Sequence, residues 1–128
     1  MDAEIRRRLT DAAIEASTRS HSPYSGYAVG AAVLTESGAI YSGTNVENAS
    51  YGATMCAERV ALFKAVSEGA KQVVALLVYA EPSLPYPCGM CLQALSEFTA
   101  ADVPVCLVSG RETREFAFEN LFPHPFEG

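Results

Sequence analysis

The chain has 128 residues, 49% hydrophobic and 19% charged, with a net charge of −6. That length buries a proper core in one domain, residues 1–128, without disulfide staples. The acidic balance disfavours nucleic acid and polyanionic ligands, which call for a basic stripe, and favours a small uncharged molecule. The only basic cluster, Arg6-Arg7-Arg8, shares its segment with Asp2, Glu4, Asp11 and Glu15 and reads as a solvated face of mixed charge. The longest apolar run, Val73 to Ala80, is too short to span a bilayer. The start Met-Asp-Ala-Glu lacks the apolar stretch of a leader, so the expectation is a cytoplasmic protein with no membrane partner.

In chain order, residues 2–20 keep Ile5, Leu9, Ala12, Ala13 and Ala16 at helical spacing. Pro23 and Gly26 break that helix, and Tyr27–Thr35 and Ala39–Asn45 follow as strands around the tight turn Glu36-Ser37-Gly38. A second helix is expected from Met55 to Gly69. Between Val60 and Val66 only Lys64 is polar, so this helix needs cover on nearly all sides, from a sheet and from a second layer or a neighbouring subunit. Residues 72–80 read as a central strand, 88–100 as a third helix and 103–109 as a fourth strand; one more short strand or helix follows in 110–128. A hairpin followed by alternating units predicts an α/β fold, a mixed sheet sandwiched by helices.

Four cysteines, Cys56, Cys88, Cys91 and Cys106, in a chain without a secretory leader read as thiols or metal ligands. Cys56 falls at the start of the second helix, and Cys88 and Cys91 at the start of the third. An i, i+3 pair projects both sulfurs to one side. The positive end of a helix dipole favours thiolate, the form that binds Zn²⁺. Three thiolates leave a fourth tetrahedral position open, as catalytic zinc requires. Glu58, two residues past Cys56, is placed to act there as general acid and base. Two alternatives stand beside this reading: a redox pair of Cys88 and Cys91, and a closed structural site recruiting Cys106. The redox pair leaves Cys56 unexplained, and Cys106 lies among Val105, Leu107 and Val108, where a cysteine acts as a small core hydrophobe.

Three stretches, SPYSGYAVGAAV (22–33), NVENASYGATMCAERVALFKAVSEG (45–69) and PCGMCLQALSEF (87–98), resemble the small, homotetrameric cytidine deaminases, over roughly residues 10–126. The resemblance implies a three-layer α/β/α sandwich around a five-stranded mixed sheet. It also implies zinc-dependent hydrolytic deamination of cytidine and deoxycytidine to uridine and deoxyuridine, with release of ammonia. By the same resemblance Cys56, Cys88 and Cys91 hold the zinc and Glu58 moves the protons. Asn45 and Glu47 grip ribose hydroxyls, Tyr27 stacks near the base where phenylalanine is usual, and the Ala57 backbone holds the base carbonyl or the attacking water. A carboxylate at Glu47 would repel a 5′-phosphate and so favour nucleosides over nucleotides. Tyr51 and Phe126 match positions that complete a neighbouring subunit's pocket in the tetramer. Taken alone, Asn45 is a turn residue, Glu47 a solvated acid, Tyr27 and Tyr51 strand or loop aromatics, and Phe126 a terminal anchor. Two positions depart from the pattern: Leu92 stands where arginine is usual, and Met90 where alanine is common. That leaves Arg59 as the one cation near the thiolates. A deaminase of a modified cytosine nucleoside, such as an N4-substituted cytidine or blasticidin S, and a non-catalytic structural zinc protein are the competing functions.

Overall fold

Asp2 starts the first helix, α1 (Ala3–Ser17), by accepting from the Ile5 amide at 2.8 Å. The computed structural model describes residues 1–128. Helix α1 stops before the expected residue 20 because the next segment is drawn to the sheet. The His21 amide donates to the Asn45 carbonyl at 3.2 Å, and the Glu47 amide to the His21 carbonyl at 2.8 Å. Strands β1 (Val29–Thr35) and β2 (Ile40–Thr44) form the expected hairpin. Tyr27 and Ala28 fall outside β1. There the Asn45 side chain takes over from a strand partner, donating to the Tyr27 carbonyl at 2.8 Å and accepting from the Val29 amide at 3.0 Å.

Helix α2 (Ala57–Ser67), strand β3 (Val73–Ala80), helix α3 (Gly89–Ser96) and strand β4 (Pro104–Val108) follow as two alternating units. Helix α3 ends four residues short of the expected Ala100. The Phe98 carbonyl accepts from the Val73 amide at 2.8 Å and Thr99 bridges to Val73, so the chain there has left the helix to meet the start of β3. The tail holds both a strand, β5 (Thr113–Ala117), and a one-turn helix, α4 (Phe118–Leu121).

The five strands lie in the order β2-β1-β3-β4-β5. β3 and β4 are parallel, and β1 and β5 run against their neighbours. Strand pleating sorts the core into two layers. Ala31, Val33, Leu76, Val78, Val105 and Leu107 face α2 and α3, packing with Ala57, Ala61, Leu62 and Leu95. Their chain neighbours Ala32, Leu34, Ala75, Leu77 and Cys106 face Leu9 and Ala13 of α1. The result is the expected three-layer α/β/α sandwich. On α2, Phe63 remains 45% exposed, so the sheet covers less of that helix than its apolar sequence requires.

Helix α2 can lie close on β2 because position 43 is glycine. A Cβ there would stand 2.6 Å from the Ala61 nitrogen and 2.8 Å from the Val60 Cβ. Gly43→Ala is therefore expected to push α2 off the sheet and cost about 1–3 kcal/mol of stability, as overpacking does. Urea unfolding reads this directly, and an unshifted midpoint would contradict the contact.

Candidate metal centre and substrate cavity

Cys56 occupies the N-cap position of α2 and Cys88 that of α3, both with extended backbone, and Cys91 lies in the first turn of α3. Neither cap side chain bonds its own helix. The sulfurs instead turn toward each other: all three lie within 4.8 Å, with Cys56 and Cys88 at 3.9 Å. Tetrahedral zinc with Zn–S bonds of about 2.3 Å places its sulfurs about 3.8 Å apart, so the trio fits this ion. Two helix N-termini aim their positive ends at the cluster.

The charges around the sulfurs are graded. The Cys56 thiol is drawn down to about 5, first by its hydrogen bond with Cys91 and then by Arg59, against the effect of burial. Cys91 is pushed up by the same bond and by burial. Arg59 Nη2 lies 3.5 Å from the Cys56 sulfur, while its Nε is buried with no partner. Glu58 is 5% exposed, and burial lifts its carboxyl to about 7, with the charge on Cys56 adding to the rise. A carboxyl in that range both takes and gives protons near neutral pH.

A cavity of about 230 Å³ opens beside the cluster, lined by Cys56, Ala57, Glu58 and Cys88 together with Tyr27, Asn45 and Glu47. Tyr27 is fixed by its hydroxyl, which donates to the Ser83 carbonyl at 3.1 Å. Asn45 is 8% exposed, and its Oδ1 also accepts from Ser20 Oγ at 2.6 Å. Glu47 is no free solvated acid. Its Oε1 accepts from the Tyr24 and Ser25 amides at 3.0 Å each, and its Oε2 from the Ser25 hydroxyl. These bonds, the Ser25 hydroxyl first, hold its carboxyl below the usual range.

Other expected residues lie elsewhere. Tyr51 is 79% exposed and lines a neighbouring depression with Tyr24, Ser25 and Glu47. Phe126 is 78% exposed; its amide and carbonyl are clasped by Gln93 of α3 at 3.1 and 2.9 Å. Neither reaches the cavity of its own chain. Met90 is exposed and Leu92 packs in the core, so no second cation replaces the arginine expected at 92. Cys106 is buried under α1, across the sheet from α2 and α3, which rules out a four-cysteine site. Sequence reasoning missed Ser25, Thr54, Pro85 and Tyr86, which also line the cavity. Pro85 and Tyr86 could have been found, since they sit two residues and one residue before the motif Pro87-Cys88.

An α/β/α sandwich with three convergent thiols beside a buried glutamate defines a class, the zinc-thiolate enzymes with an acid–base carboxylate at the metal. The comparisons with known proteins narrow that class. The family model for the cytidine and deoxycytidylate deaminase zinc-binding region matches residues 3–107, and the chain belongs to that family. A cytidine deaminase of Halalkalibacterium halodurans is 45% identical over 123 residues, 94% of this chain and 93% of its own. One of Sporosarcina psychrophila is 41% identical, with 98% and 92% covered. The crystal structure of a cytidine deaminase from Burkholderia pseudomallei superposes with a TM-score of 0.89 at 36% identity, covering 98% of this chain and all of that one.

Three sulfurs at this spacing are expected to hold one zinc per chain. Cys56→Ser and Cys91→Ser should each lower the bound zinc found by elemental analysis, whereas Cys106→Ser should leave it unchanged. Zinc lost on changing Cys106 would contradict the geometry.

Proposed function

We propose that the chain, acting as one catalytic domain over residues 1–128, hydrolyses cytidine and deoxycytidine to uridine and deoxyuridine with release of ammonia. The observation that carries this reading is the convergence of Cys56, Cys88 and Cys91 beside buried Glu58, in a cavity that also contains Asn45 and Glu47. When bound by the three cysteines, zinc supplies Lewis acidity and a water acidified toward ~7. Glu58 would take a proton from the attacking water, deliver one to N3 of the cytosine ring and relay one to the departing amine, so that C4 gains oxygen as the C–N bond breaks. Arg59 balances part of the thiolate charge through Cys56. Ala57 is the first residue of α2, where an amide has no partner within the helix, and that N–H is free to donate to the base carbonyl.

Counting donors and acceptors supports the sugar contacts. The Asn45 amide has two N–H groups and gives one to the Tyr27 carbonyl, leaving one. Glu47 accepts three bonds, and a carboxylate offers about four sites, leaving one. One remaining donor and one remaining acceptor match a single ribose hydroxyl, which both accepts and donates. The same carboxylate repels a 5′-phosphate, so the nucleoside is preferred to the nucleotide. The Tyr27 ring, pinned through Ser83, offers a flat face to the base. Among the competing readings, the structural zinc protein loses its support with Cys106 on the far side of the sheet. The modified-nucleoside reading is the less favoured one, since a blasticidin-S deaminase of Bacillus cereus is 31% identical against 45% and 41% for two cytidine deaminases.

An ammonia-release screen over cytidine, deoxycytidine, cytosine, cytidine monophosphate and adenosine tests the reading. Turnover is expected for the first two alone, and no turnover of cytidine would overturn the proposal. Glu58→Gln keeps the shape and removes the proton carrier, so kcat is expected to fall at least ~10²–10⁴-fold with zinc retained. A variant keeping a tenth of the activity would sink the role given to Glu58.

The assembly proposed is a homotetramer with shared active sites, in which Tyr51 and Phe126 of one chain border the cavity of another. Its support is the exposure of both rings, the tethering of Phe126 by Gln93, and the incomplete cover of Phe63. Four free thiols fit a reducing compartment, and with it a cytoplasmic place in pyrimidine salvage. Light scattering should give the mass of four chains, and Phe126→Ala should raise KM while each chain keeps its zinc. A fully active monomer would refute the shared site.

A further inference from the structure

The cavity has two ends. Ser25, Glu47 and Thr54 line both it and the neighbouring depression that opens beside Tyr51, so they mark its outer end. Cys56, Glu58, Cys88, Pro85 and Tyr86 line the inner cavity alone. Tyr86 lines the cavity only two residues before Cys88, which holds it at the end where the metal ligands meet Glu58. With Pro on either side, its backbone has little freedom.

Strand β5 braces the ring of Tyr86 from behind. The Phe116 ring lies 5.9 Å from it, centroid to centroid, at an interplanar angle of 55°. Arg114 Nη1 donates to the Tyr86 hydroxyl at 3.4 Å, and the same guanidinium sits 5.7 Å above the Phe116 ring. A half-exposed tyrosine with both ring and hydroxyl engaged by a neighbouring strand is held as a wall.

We propose that Tyr86 is a specificity-determining residue that closes the amine end of the cavity, admitting an unsubstituted C4 amine and excluding bulkier groups on that nitrogen, with Phe116 and Arg114 as its positioning residues. This rests on the cytidine reading above: if Glu47 and Asn45 take the ribose and Glu58 the amine, the exocyclic nitrogen comes to the end that Tyr86 walls. At about 230 Å³ the cavity is smaller than the ~300–1,000 Å³ usual for ligand pockets. Nothing in the chemistry of the motif requires an aromatic residue before Pro87, so the ring acts on choice of substrate rather than on the bond-breaking step.

The test uses zinc-loaded protein carrying Glu58→Gln, so that ligands bind without turnover. Calorimetry gives the dissociation constants of cytidine and N4-methylcytidine. One added methyl against a close wall is expected to weaken binding roughly 10–200-fold. Adding Tyr86→Ala should shrink that ratio about tenfold or more, whereas Tyr86→Phe should keep most of it, because the ring remains against Phe116. Phe116→Ala should give an intermediate ratio, and a ratio equal to that of the unchanged protein would remove the bracing role. In parallel, the enzyme with Glu58 intact is assayed on cytidine. Absent cytidine turnover overturns the function and this inference together. Retained turnover with the same binding ratio in the Tyr86→Ala protein overturns the inference alone.

Discussion

The handedness of two chain crossovers is the constraint on which the site depends. Strand β1 runs against both β2 and β3, so β2 and β3 point the same way, and β4 joins them. The path from β2 through α2 to β3 and the path from β3 through α3 to β4 advance in the same direction across the sheet. A right-handed turn in each puts both helices on one face. Each helix begins where a parallel strand has ended, so both N-termini fall at the same edge of the sheet. Cys56 and Cys88 are the N-caps at that edge, where their sulfurs come to 3.9 Å.

That arrangement also sets the electrostatics. Two helix dipoles and Arg59 favour negative sulfur at Cys56, while burial of the Glu58 carboxyl favours its neutral form. The Glu58 carboxyl and the Cys56 thiol lie close together yet are driven in opposite directions, the one toward its neutral form and the other toward thiolate. Leu92, buried in the core, adds no charge to this balance, so Arg59 carries it without a second cation from α3.

The other side of the cavity is built by side chains that act as backbone. Asn45 substitutes for a strand partner at Tyr27 and Val29, and Glu47 gathers the Tyr24 and Ser25 amides. The loop before β1 is thereby fastened to the loop after β2. Both residues remain on the cavity wall with part of their bonding capacity unused. Gly43 completes the frame by letting α2 approach β2 closely.

Local chemistry made much of this legible from the residues alone. The Cys56-Ala57-Glu58 and Cys88-x-x-Cys91 spacings, their place at helix starts, and the continuous apolar run of β3 are features that each segment carries within itself. Gly69, at positive φ just past the end of α2, stops that helix for the same reason. What the segments do not carry is the identity of their partners. The early end of α3 is set by Val73, which takes the Phe98 carbonyl, and no glycine or proline at 96–100 announces it. The parity of Cys106 within β4 could be counted, but only the packing of α1 decided that its face is the one away from the zinc ligands. Tyr86 became part of the cavity because β5, about thirty residues later, supports it. Sequence by itself determined the candidate cysteines, the glutamate beside them and the order of elements, since these rest on short-range geometry. Tertiary structure decided which faces meet and which side chains close the cavity, since those depend on contacts between residues far apart in the chain.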